Sequence, residues 1–159
     1  RLVGSEMCIR DRYKCGLPIR IYGNKWTSSR RWKDLKAIVE INHVSGNYYS
    51  QIIQSSVACL GFLSHNNRDI VTTRSFEIPA SNGLFCGERT SEHELLYENM
   101  KEAVLWSDID ECKQSLDYLL VHPDIRNDIC QAGHVHIKNM GLGNEDICRY
   151  IISFCVTMI

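Results

Sequence analysis

The sequence predicts an α/β domain built in three layers around a parallel sheet. Two patterns carry this. Short, continuous apolar runs suited to strands buried on both faces alternate with longer segments of helical spacing, and Gly or Pro turn signals fall between them. A chain of 159 residues is one ordinary domain, able to bury about 68–70% of its unfolded surface and so to hold a real core.

Taken in order, Leu17–Tyr22 reads as a strand ending at the turn signal Gly23-Asn24. In an open α/β sheet that turn lies where ligand-binding loops emerge, so Asn24 and Trp26 are expected at the cleft. Lys25–Lys36 is basic and carries Trp26 and Trp32. It suits either base stacking or, with no net positive charge behind it, a solvated amphipathic linker. Asn47–Ser55 has helical spacing, and Val57–Phe62 is a continuous apolar run fit for a buried parallel strand. A helix is predicted over Thr72–Ala80, capped by the Thr72-Thr73 pair. Leu84–Cys86 is a further strand, followed by a helix capped by Ser91 with Glu92 and Glu94 in its first turn. Ala103–Trp106 is the next strand. Asp108–Val121 places Ile109, Cys112, Leu116, Leu119 and Leu120 on one helical face. His122-Pro123 ends that helix, another runs from Asp124 to about Lys138, and Glu145–Cys155 repeats Ile147, Tyr150, Ile151 and Phe154 at helical spacing.

Composition narrows the function. With 18 basic and 19 acidic residues the net charge is −1, which gives no field favouring nucleic acid or anionic membrane. No apolar run approaches the roughly 20 residues of a spanning helix, so a soluble protein is expected, and reading the cysteines as reduced thiols makes it cytoplasmic. Of the eight cysteines, Cys59, Cys86, Cys112, Cys130 and Cys148 sit in apolar stretches and no Cys-x-x-Cys occurs. They read as reduced core thiols, with no zinc site. His134-x-His136 lies in a helical segment, where i and i+2 do not face each other, and is dismissed as a metal pair.

The chemistry concentrates in Asp69–Ala103. A helix start offers free backbone N–H groups and a positive dipole end, which suits phosphate. Arg74 adds a planar, permanently charged donor for a diphosphate. The Glu77 carboxylate can accept two hydrogen bonds from a vicinal diol such as ribose. Each has a plainer reading. Glu77 can simply offset the helix dipole, Arg74 can be a surface ion-pair partner of Asp69 or Glu77, Glu88 and Arg89 can be a solvated pair, and His93 can be a structural histidine.

Thr72-Thr73-Arg74-Ser75-Phe76-Glu77-Ile78-Pro79-Ala80, then Gly83, Glu88-Arg89-Thr90, Glu92-His93 and Lys101-Glu102-Ala103, resembles the signature of the CgeB-like (spore maturation protein) glycosyltransferases. That signature reads roughly T-R-T-F-E-I-P-A-x-G, E-R-T-x-E-H and E-G-K-E-A. Ser75 stands where threonine is usual, and Asn99-Met100 where the glutamate is followed by glycine. Weaker likeness runs from Tyr22 to about Tyr150. The resemblance implies a Rossmann-like domain, the C-terminal, donor-binding half of a GT-B fold. It implies a donor site of Arg74, Glu77, Thr72, Thr73, Gly83, Asn24 and His93, with a nucleotide sugar, a UDP-sugar, as substrate and no cofactor. Asp69-x7-Glu77 is similar to the acidic pair of retaining members of that fold. The acceptor side is assigned to a missing N-terminal domain, and no nucleophile or base is named. Two other readings stay open: a glycosyltransferase-like binding module of a spore-coat or surface structure without turnover, and a flavodoxin-like partner domain.

The ends stand apart. Arg1–Arg12 resembles a translated sequencing-adapter tail and is expected to be non-native. The domain is taken as residues 13–155, with Val156–Ile159 a truncated end.

Overall fold

The computed structural model describes residues 16, 19–23, 26–30, 32–40, 44–64 and 67–157. Asn24, the whole of Arg1–Arg12, Leu17 and Pro18 fall outside the described residues. The elements run β1 (Ile21–Tyr22), a 3-10 turn (Trp26–Ser28), α1 (Trp32–Leu35), β2 (Val39–Glu40), α2 (Gly46–Ser55), β3 (Cys59–Gly61), α3 (Arg74–Ala80), β4 (Phe85–Glu88), α4 (Ser91–Leu96), β5 (Val104–Trp106), α5 (Ile109–Val121), α6 (Pro123–Asn139) and α7 (Asn144–Thr157).

Every described strand pairing is parallel. β4 is central, with Cys59 opposite Phe85 on one side and Val104 opposite Cys86 on the other. β1 and β2 form a separate parallel pair through Ile21 and Val39. The strands therefore make two parallel sheets where one was expected. An apolar slot of about 660 Å³, lined by Ile21 of β1 and Leu60 of β3, lies along the seam.

Side chains alternate across the central sheet as the strand repeat of two requires. Leu84, Cys86, Val104 and Trp106 face α5 and pack on Cys112, Leu116 and Leu119. Phe85 and Leu105 face the other way, onto Ile53 of α2 and Ile78 of α3. This is why the strand sequences are unbroken apolar runs: both faces are covered, giving helix, sheet and helix layers. α6 serves both layers, since Ile129 joins the first cluster and Ile137 the second. Gly133 lets α6 reach that position, because a Cβ there would lie 2.2 Å from the Glu102 carbonyl oxygen.

Several local expectations are corrected. Thr90, not Ser91, caps α4, accepting the His93 N–H at 3.1 Å. Leu120 is 41% exposed because it sits one position beyond the buried Cys112, Leu116 and Leu119 stripe. Cys148 is exposed, as is Cys155, since α7 meets none of the hydrophobic clusters. Its Ile147, Tyr150, Ile151 and Phe154 form the expected stripe, but all are exposed. Trp26 packs beside buried Ile21 and Leu35 in a small third cluster, so the basic segment carries an amphipathic face.

Candidate donor site

The site lies at the carboxyl edge of the central sheet, on the loop between β3 and α3. Two hydrogen bonds tie that loop to the β4 side: the Leu63 N–H donates to Glu88 Oε1 at 3.3 Å, and the Thr90 hydroxyl donates to the Ile70 carbonyl at 2.7 Å. α3 then descends antiparallel to the strands. Its start departs from the Thr-Thr cap: Thr73 is in the helical region and its side chain makes no capping bond. Ser75 does that work from inside the helix, its Oγ accepting the Thr72 N–H at 3.3 Å.

Beneath this turn, Ser75 and His93 are both fully buried. Ser75 Oγ lies 2.8 Å from His93 Nε2, and His93 Nδ1 lies 2.6 Å from the Glu88 carbonyl oxygen. A carbonyl can only accept, so Nδ1 carries a proton, and the serine hydroxyl is the partner of Nε2. Both nitrogens of the imidazole are thereby engaged. Phe85 meets it edge-on at 5.3 Å between ring centroids. The Tyr97 hydroxyl donates to the Ser75 carbonyl, and burial pushes that phenol well above its ordinary value.

Above the turn, α3 presents Arg74 and Glu77, which pair at 2.6 Å between Nη1 and Oε2, with side chains 53% and 46% exposed. Tyr49, from α2, closes a triangle. Its hydroxyl accepts from the same Nη1 and donates to the same Oε2 at 3.3 Å, and the guanidinium carbon lies 5.0 Å from its ring centroid. Among the described residues, Nε and Nη2 of Arg74 and Oε1 of Glu77 have no hydrogen-bond partner. Burial pushes the Tyr49 phenol up, partly offset by Arg74. Tyr49 was missed from sequence because nothing in its own helix marks it; only the tertiary fold brings its side chain to Arg74.

The other expected residues separate. Gly83 precedes β4 at the opposite edge of the sheet, where a Cβ would lie 2.2 Å from Ile53 Cγ2; it is a packing glycine. Thr72 and Thr73 flank Arg74 at the loop. Asn24 is not described. Asp69 lies apart from the Arg74 triangle, its N–H donating to the Ser64 carbonyl at 3.2 Å. Arg89 is no partner of Glu88: it bonds Glu111 at 2.6 Å, the Leu105 carbonyl at 2.9 Å and Ser107 at 3.1 Å, lacing β4 and β5 to α5. On α6, His134 Nδ1 bonds the Pro79 carbonyl at 2.8 Å, whereas His136 lies 3.2 Å from Glu102. The two histidines therefore point to different neighbours.

A family model described as glycosyl transferase-like matches residues 7–140. The chain belongs to this glycosyltransferase family. The matched stretch contains both sheets and every residue of the Arg74 triangle. No curated protein and no solved structure matches the chain. Within this glycosyltransferase-like domain the two halves of the motif divide the labour. Ser75, Thr90 and His93 hold the loop, and Arg74 and Glu77 stand on top of it.

Proposed function

We propose that this domain binds the nucleotide-sugar donor of a CgeB-like glycosyltransferase, with a UDP-sugar as substrate and a second domain supplying the acceptor side. The observation that carries this reading is the division of Arg74 and Glu77 into inner and outer atoms. The inner Nη1 and Oε2 are spent on each other and on Tyr49. The outer Nη2 and Nε can fork onto a diphosphate, and the outer Oε1 can accept from a ribose diol. The ion pair thus need not break to receive a ligand. His93 enters as a positioning residue beneath the site, Thr72 and Thr73 as its backbone rim, and Gly83 as packing.

In the transfer, the bond from the anomeric carbon to the diphosphate oxygen breaks and its electron pair leaves on the diphosphate. A bond forms from the acceptor oxygen, whose proton passes to a base on the acceptor side. Arg74 stabilises the charge that develops on the leaving group, a preorganised electrostatic contribution. Glu77 fixes the donor through the ribose.

Calorimetric titration with UDP tests this. A single half-cleft predicts weak binding, with a dissociation constant of about 1 mM, or roughly 4 kcal/mol. Arg74→Ala should weaken UDP more than uridine, and Glu77→Gln should weaken UDP more than 2′-deoxy-UDP. If neither variant changes binding while the protein stays folded, the donor site is not here.

A further inference from the structure

Resting on that donor-site reading, we infer that Tyr49 is a positioning residue of the site: its hydroxyl locks Arg74 and Glu77 so that their outer edges face one ligand carrying both a diphosphate and a diol. Tyr49 approaches from α2, 25 residues before Arg74 and 28 before Glu77. It contacts both through one oxygen, accepting from Nη1 and donating to Oε2.

An exposed i,i+3 ion pair by itself is weak and leaves two long side chains free to turn. A third arm from a different helix removes that freedom. The ring contributes separately, since the guanidinium stacks over its face. The hydroxyl must keep its proton to bridge in this way, and burial of Tyr49 favours the neutral phenol. The predicted consequence is that recognition of phosphate and of ribose is coupled. Once Arg74 turns its outer edge to a diphosphate, Glu77 stays aimed at the diol because Tyr49 still donates to it.

The test is UDP titration of Tyr49→Phe, which keeps the ring and its stacking and removes the bridging hydroxyl, both the acceptor of Arg74 Nη1 and the donor to Glu77 Oε2. The expected result is about threefold to tenfold weaker UDP binding, the range for losing one hydrogen-bonding group that acts through its neighbours. The preference for UDP over 2′-deoxy-UDP should shrink, with an unchanged melting temperature. Adding Tyr49→Phe to Glu77→Gln should not reduce that preference further, because both act through one carboxylate. Wild-type UDP affinity and wild-type ribose preference in Tyr49→Phe, with Arg74→Ala and Glu77→Gln still weakening UDP, would overturn the role of Tyr49 and leave the donor site standing. No effect from any of the three would overturn both.

Discussion

Ser75 Oγ sits 2.8 Å from His93 Nε2 with both residues fully buried, joining the start of α3 to α4 across 18 residues of chain. This contact makes one physical unit of two motif blocks that look independent in sequence. On the other side of the ring, the Glu88 carbonyl accepts from His93 Nδ1–H.

Ser75→Ala should destabilise the domain by about 1–3 kcal/mol, the cost of leaving a buried ring nitrogen without its partner. Ser75→Thr should cost less, since it restores the hydroxyl. Urea denaturation of the three proteins at one pH checks the order.

Gly83→Ala should cost about 1–3 kcal/mol by overpacking against Ile53. The cost should fall in an Ile53→Ala background, where the opposing methyl is gone, so a double-mutant cycle isolates the contact. UDP affinity should not change in any folded member of the cycle, because Gly83 is at the far edge of the sheet.

The Glu111 carboxyl is held below its ordinary 4.5, first by the Ser107 N–H, against an opposing effect of burial, and then by Arg89. A carboxyl depressed in the folded state adds stability that is present above 4.5 and lost as pH falls through its folded value. Glu111→Gln should therefore be less stable than wild type at pH 7, by no more than about 0.5 kcal/mol, because a carboxylate this exposed is screened by solvent. The difference should close as pH falls from 4.5 through the folded value of the carboxyl. Urea midpoints measured from pH 3 to 7 read it directly.

Among the described cysteines, alkylation at pH 8 followed by peptide mapping should modify Cys148 and Cys155 first, because both are exposed. Cys86 and Cys112 should stay protected until unfolding. Cys59 should also lag, since burial pushes its thiol up to about 11.

The layered architecture was legible because both faces of β4 and β5 are covered, which forces unbroken apolar runs such as Leu84–Cys86 and Val104–Trp106. Arg74 and Glu77 were legible from chemistry and spacing on one short helix. The roles of Ser75 and Tyr49 were not, because each depends on a partner 18 or more residues away. The Thr-Thr pair misled for a local reason: Thr73 already has helical backbone angles, so its side chain cannot cap. Met100 holds a φ of 60°, a left-handed conformation that glycine adopts without cost, which accounts for the glycine of the motif; nothing in the structure explains the methionine. The stripe on α7 reads as core in sequence, yet periodicity reports only that a face is apolar, not that anything covers it.

In the proposed donor site, Arg74 and Glu77 receive a nucleoside diphosphate on their outer atoms without breaking their own pair. A crystal structure of the chain with UDP tests this. Diphosphate oxygens are expected on Arg74 Nε and Nη2 and the ribose diol on Glu77 Oε1, with the Nη1 to Oε2 contact and the Tyr49 bridge retained. UDP bound away from α3, or bound with the Arg74–Glu77 pair separated, would contradict it.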